Sequence, residues 1–152
     1  MDEKKMQGML EKGEEKFRIV AEAAYDWDYW RRPDGIFEYC SPSCKRITGY
    51  VPEDFMADNE LLERIIVPED IPAWLSYNEE ILKYKLPSAY EFRIIRLDGE
   101  IHWILHICQS VFDTAGNHLG IRTSNRDMTE RKQAEQKLSY FQKTVDSATD
   151  AI

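Results

Sequence analysis

The sequence predicts an α+β fold in which one antiparallel sheet carries helices across one face. Three observations predict it. Residues 88–132 hold two successive strand–turn–strand patterns, residues 25–40 hold another, and the stretch between them repeats its apolar residues at helical spacing. In the later pair, Asp98-Gly99 joins two aromatic and β-branched runs, and Ala115-Gly116-Asn117 joins the second run to a third. Asp-Gly and Gly-Asn tolerate the positive φ angles of tight hairpin turns, so three antiparallel strands follow. The third strand passes through Asp127-Met128-Thr129 directly into a charged helix.

Composition bounds the function. The 152 residues suffice for one ordinary domain with flanking helices, and 43% hydrophobic residues supply one core. A net charge of -8 repels nucleic acid and anionic membrane surfaces, so neither is an expected partner. No apolar run approaches the roughly 18 residues of a membrane span. The charged start, MDEKKMQGMLEKGEEKF, lacks the apolar region of a secretion signal. A cytoplasmic location is the expectation, although a parent chain could hold membrane spans before Met1. Cys40, Cys44 and Cys108 are an odd count without a metal-binding partner set, and read as small buried residues in a reducing compartment.

Residues 1–24 read as an amphipathic helix. Met6, Leu10, Gly13, Phe17, Val20 and Ala24 follow the 4-3 spacing of a two-stranded coiled coil, so the chain is expected to form a homodimer through its flanking helices. Gly13 weakens the first half of that seam. Residues 25–32 (YDWDYWRR) read as a strand with Tyr25, Trp27 and Tyr29 on one face and Trp30 on the other. Pro33-Asp34-Gly35 turns the chain, and residues 36–40 return. Ser41 and Pro42 read as the N-cap and first residue of a helix that Gly49 ends. Short helices follow at 52–56 and 59–66. Asp70 is expected to cap a longer helix over residues 71–84, whose apolar face carries Trp74, Tyr77, Ile81 and Tyr84. Pro87 ends it.

Four motifs now stand in order: SPSCKRITGY after the first hairpin, Val67-Pro68-Glu69-Asp70 before the long helix, Glu91-Phe92-Arg93 in the third strand, and Arg126-Asp127-Met128-Thr129-Glu130-Arg131-Lys132 at the end of the fifth. Together they resemble the PAS domain, over about residues 17–132. The resemblance implies a five-stranded antiparallel sheet in the order 2-1-5-4-3 with helices on one face. It implies a sensor domain over residues 25–128 and a signalling helix over 129–152, with an output domain such as a histidine kinase or cyclic-dinucleotide synthase elsewhere in the parent chain. It also places Asp127 and Thr129 where the last strand is linked to the outgoing helix, as signal-coupling residues. Ala134, Leu138, Phe141, Val145, Ala148 and Ile152 continue a 4-3 seam, which suits a coiled coil. The segment DSATDAI also resembles the start of a second PAS domain, and both readings stand.

Catalytic chemistry is not visible: no nucleophile triad, phosphate-cradling glycine loop or paired catalytic carboxylates, so the chain is not expected to be an enzyme. His102 and His106 are four residues apart on a predicted strand, about 13 Å, too far for one metal ion. One of them is expected to be a hydrogen-bonded wall residue, and no metal is expected. The cofactor is unknown. Residues 59–64 lack the cysteine that light-sensing flavin domains of this family use for a covalent adduct, and residues 71–84 lack the histidine of haem-binding members. Both groups are disfavoured, which leaves a non-covalent flavin or a small aromatic or acidic metabolite. The expected pocket lies between sheet and helices, lined by Trp27, Tyr29, Tyr39, Trp74, Tyr77, Phe92 and Trp103, because aromatic walls suit flat ligands. The competing reading, and the favoured one, is that these rings simply fill the core.

Overall fold

The computed structural model describes residues 2–22 and 25–150; of these, the side chains of Leu10, Phe17, Arg18, Val20–Glu22, Thr149 and Asp150 are outside the description. The chain runs α1 (Glu3–Glu22), β1 (Trp27–Arg31), β2 (Phe37–Cys40), α2 (Cys44–Thr48), α3 (Pro52–Ala57) and α4 (Leu61–Ile65). A single 3-10 turn (Pro68–Asp70) then leads into α5 (Ile71–Tyr84), β3 (Ser88–Ile95), β4 (Ile101–Phe112), β5 (His118–Asp127) and α6 (Thr129–Asp150). The five strands form one antiparallel sheet in the order β2-β1-β5-β4-β3, as expected.

The centre of this sheet is the pairing of the first strand with the last: Trp27 lies opposite Asn125 and Arg31 opposite Ile121. Gly120 makes the approach possible. Its φ is +118°, and a Cβ there would collide with the Arg31 carbonyl oxygen. The alternation of each strand sends one set of side chains into a core that α2 to α5 cover. Trp27, Phe55, Leu62, Ile94 and Ile104 are wholly buried there, with Trp74 of α5 and Phe92 of β3.

Local signals set the helix ends, with corrections. Gly49 closes α2 at φ 87°, and its amide reaches the Lys45 carbonyl. Ser41 does not cap α2, which starts at Cys44. Its buried hydroxyl instead accepts the Asp28 amide at 2.9 Å, tying the approach of α2 to β1. Asp70 makes no side-chain cap on α5 either, because Arg93 takes its carboxylate at 2.8 Å. Tyr84 is 60% exposed and falls outside the apolar face; α5 ends at Lys85 in left-handed geometry, two residues before Pro87. Tyr25 lies ahead of β1 and is exposed.

In α1 the described seam residue Met6 is 52% exposed, and Met9 and Ile19 beside the seam are 60% and 59% exposed. The seam positions Leu10, Phe17, Val20, Ala24 and Ile152 lie outside the described residues or side chains.

Candidate functional site

The seven aromatic residues expected to line a pocket divide by strand parity. Trp27, Tyr29, Trp74, Tyr77 and Phe92 meet on the covered face. Trp74 lies 4.8 Å from Phe92 and 6.0 Å from Tyr77 between ring centres, and Tyr29 lies 5.6 Å from Trp27. Such distances are those of packed aromatic pairs, so these rings largely fill the core. Tyr39 and Trp103 are not with them. Tyr39 pairs with Trp30, and Trp103 with Arg93, on the opposite face of the sheet. In β4 the inward positions are Ile104, His106 and Cys108, so Trp103 must point away.

A cavity of about 330 Å³ lies beside this aromatic cluster, between the sheet, α5 and the turn at 33–35. Its walls are Tyr29, Arg31, His106, Cys108, Ile121 and Thr123 from the strands, Leu75, Asn78, Ile81 and Leu82 from α5, and Glu63 with residues 32–35 at the rim. Of the seven expected residues, Tyr29 alone is among them. The walls mix aliphatic side chains (Leu75, Ile81, Leu82 and Ile121) with polar and charged ones, a composition that aromatic residues in the sequence do not mark.

Electrostatics give the cavity a neutral interior. Arg31 is held at all three nitrogens: Nε donates to the Gly35 carbonyl at 2.8 Å, Nη1 to Glu63 at 2.7 Å, and Nη2 to the Asn59 carbonyl at 2.5 Å. His106 is buried, and its Nδ1 lies 2.9 Å from Asn125 Oδ1. The Asn125 amide nitrogen is committed to the Trp27 carbonyl at 3.3 Å. Its oxygen therefore accepts from His106, which puts the proton on Nδ1 and leaves Nε2 a lone pair. Burial pushes the His106 pKa down to about 4, so the ring is neutral. Burial likewise raises the Tyr29 hydroxyl. Tyr77 and Cys108 share a hydrogen bond at 3.1 Å under α5.

His102 and His106 share a strand face but serve different partners. His102 Nδ1 lies 2.6 Å from Asp127. Among the described residues no group of three or more His, Cys, Asp or Glu side chains could hold a metal ion. The three thiols are buried and unpaired by disulfides; a hydrogen bond with Cys40, then burial, raises the pKa of Cys44.

The second feature is the joint at which α6 leaves β5. Asp127 Oδ1 accepts the Thr129 amide at 2.9 Å and the Thr129 hydroxyl at 2.6 Å. Thr129 Oγ1 in turn accepts the Trp103 amide at 2.9 Å, and the Met128 amide reaches the Trp103 carbonyl at 2.8 Å. The Thr129 hydroxyl is thus a bridge to β4, and the Asp127 carboxylate does the capping. Burial acts to raise the Asp127 pKa, but hydrogen bonds from Thr129 and His102 outweigh it and hold the group below the usual carboxylate range.

A single antiparallel sheet with helices over one face, a partly open cavity beneath them and an outgoing helix hydrogen-bonded to the last two strands make up the architecture of a sensory-type domain. The family model described as PAS fold matches residues 37–125, and the chain belongs to that family; it is a PAS sensory domain. An uncharacterized protein of Sinorhizobium fredii, y4lL, is 28% identical over 144 residues, covering 95% of this chain and 17% of that protein. The chain therefore spans about a sixth of the length of that curated relative. Among solved structures, a sensory box histidine kinase/response regulator from Burkholderia thailandensis is 25% identical with a TM-score of 0.63, covering 87% of this chain and 98% of the other. An RNA-binding light-oxygen-voltage receptor is 20% identical with a TM-score of 0.70, covering 94% of this chain and 39% of the other. No helix among the described residues is long and apolar enough to cross a membrane.

The neutral His106 makes stability depend on pH. Its folded pKa lies below the ordinary 6.5, so the unfolded chain binds the proton first and stability falls as pH drops from about 7 toward 4. Between pH 7 and 5 the loss should reach about 2 kcal/mol at most, before the depressed carboxylates begin to protonate. Urea midpoints of the wild type and of His106→Gln at both pH values check this. The variant should lose less on acidification, although His118, whose pKa is also lowered, leaves a residual slope.

Proposed function

We propose that this chain is the sensory and signal-transmission module of a larger signalling protein, passing conformational change from the domain core to an output domain through α6. The observation that carries this is the joint itself: one carboxylate, Asp127, holds the first turn of α6 while Trp103 of the neighbouring strand grips it through two backbone bonds. Likeness to a sensory box histidine kinase supports an output of that type. Removing the cap in Asp127→Ala should loosen α6 by about 0.5–2 kcal/mol, leaving the core folded. Amide exchange should then rise mainly over residues 129–138. Equal protection there in both proteins would defeat the reading.

The stimulus, in this proposal, is a small uncharged molecule. A volume of about 330 Å³ is at the small end of ligand sites, below what a flavin nucleotide fills comfortably. The Arg31 charge is already neutralised by Glu63, so an acidic metabolite gains little there. The lone pair on His106 Nε2 favours a hydrogen-bond donor. Mass spectrometry of the denatured protein should release such a compound from the wild type and not from Ile81→Trp, which fills the cavity. A flavin in the extract would overturn the assignment.

The same reading makes the module a homodimer. Exposed Met6, Met9 and Ile19 on α1 need cover that an isolated helix of this length cannot provide for itself. Sedimentation should give a dimer for the whole chain and a monomer for a shortened chain beginning at Glu15. Monomers in both cases would remove the dimer.

A further inference from the structure

Trp103, absent from the cavity, stands at the meeting point of two cations that come from opposite ends of the signalling route. On one side is Arg93, directly across from it in the β3–β4 pairing, with its guanidinium carbon 5.5 Å from the indole. On the other is Lys132 of α6, with Nζ 5.0 Å from the same ring. Both fall within the range at which a cation is drawn to an aromatic face. Neither cation is loose. Lys132 also pairs with Glu91 of β3 at 2.8 Å. Arg93 is held by Asp70, the residue that precedes α5, through three contacts: its backbone amide at 2.9 Å, Nε at 3.0 Å and Nη2 at 2.8 Å.

Asp70 is therefore not a cap but a clamp, and what it clamps is the start of the helix that covers the cavity. One turn on, Trp74 packs against Phe92, the neighbour of Arg93. We propose that Asp70, Arg93 and Trp103 are positioning residues that report the placement of α5 to Lys132 and the first turns of α6. The inference rests on the reading of α6 as the signal-carrying helix, and adds the route by which the core reaches it. A displacement of the α5 start drags the Arg93 guanidinium across the indole. That alters the seat of Lys132, while the backbone bonds of Trp103 to Thr129 and Met128 keep the helix origin in place.

The route makes a non-additive prediction, because residues acting through one contact cannot each contribute independently. Asp70→Asn keeps the shape and removes the charge that holds Arg93. It should raise amide exchange over residues 129–138 by about two- to fivefold, the size a partly exposed cation–aromatic contact supports. The central amides of β5 serve as the reference for global stability. In a Trp103→Leu background, where the ring is already gone, Asp70→Asn should add nothing over the same residues. Should Asp70→Asn prove too unstable to compare, Lys132→Gln gives the far-end arm: it should raise the same amides and abolish any further effect of Trp103→Leu. Additive effects, or unchanged α6 exchange in Asp70→Asn and Lys132→Gln, would overturn the route. A response to Asp127→Ala without one to Asp70→Asn would reject this route alone; silence to all three would reject the signalling role of α6 with it.

Discussion

Everything in this molecule depends on the antiparallel pairing of β1 with β5. It joins the first strand to the last, so Trp27 at the start of β1 sits beside Asn125 near the end of β5. The chain therefore enters and leaves the sheet at one end. An ion pair at 3.1 Å between Asp26 and Arg126 marks that end. That is also the end at which α6 leaves β5. The pairing also builds the core polar chain, because Asn125 donates to the Trp27 carbonyl across it and accepts a hydrogen bond from His106 Nδ1 on the next strand. A buried polar group left unsatisfied costs stability, and Asn125 is satisfied from both neighbouring strands.

The two faces of the sheet divide the work. The covered face holds the aromatic cluster and, next to it, a cavity whose lining cations Arg31 and Arg32 are paired with Glu63 and Asp34. The other face holds Trp103 between Arg93 and Lys132. Communication between them runs around the sheet by way of Asp70 and Arg93, and through β4 itself, since the inward His106 and the outward Trp103 share that strand. A packed sheet resists gradual deformation, so small shifts are expected to be expressed at its attached helices.

Much of this was legible in the sequence. Paired turn residues and alternating apolar runs located the five strands, and Gly49 and Pro52 bounded the short helices. The order of motifs identified the PAS fold. What misled was side-chain destination. Ser41, Asp70 and Thr129 each sit where a local cap belongs, yet each is claimed by a group remote in sequence: the Asp28 amide, Arg93 and the Trp103 amide. Local spacing carries no trace of such partners. Trp103 reads as a pocket residue from its size, yet its parity opposes Ile104 and Cys108; β4 bears large apolar residues on both faces, and composition does not choose between them. At Tyr39 the register shift between Trp30 and Arg31 obscures simple alternation. Among the seven residues expected around a pocket, five share the covered face and one, Tyr29, meets the cavity.

The central claim is that the state of the cavity is read at the beginning of α6. Filling the cavity from α5 tests it without knowledge of the natural ligand. Asn78 lines the cavity and is half-buried, so Asn78→Phe introduces a ring there from the helix side. Amide exchange should change over residues 129–138 while the centres of β1 and β5 keep their protection. Unchanged exchange in α6, with tryptophan fluorescence reporting a repacked α5, would contradict the account.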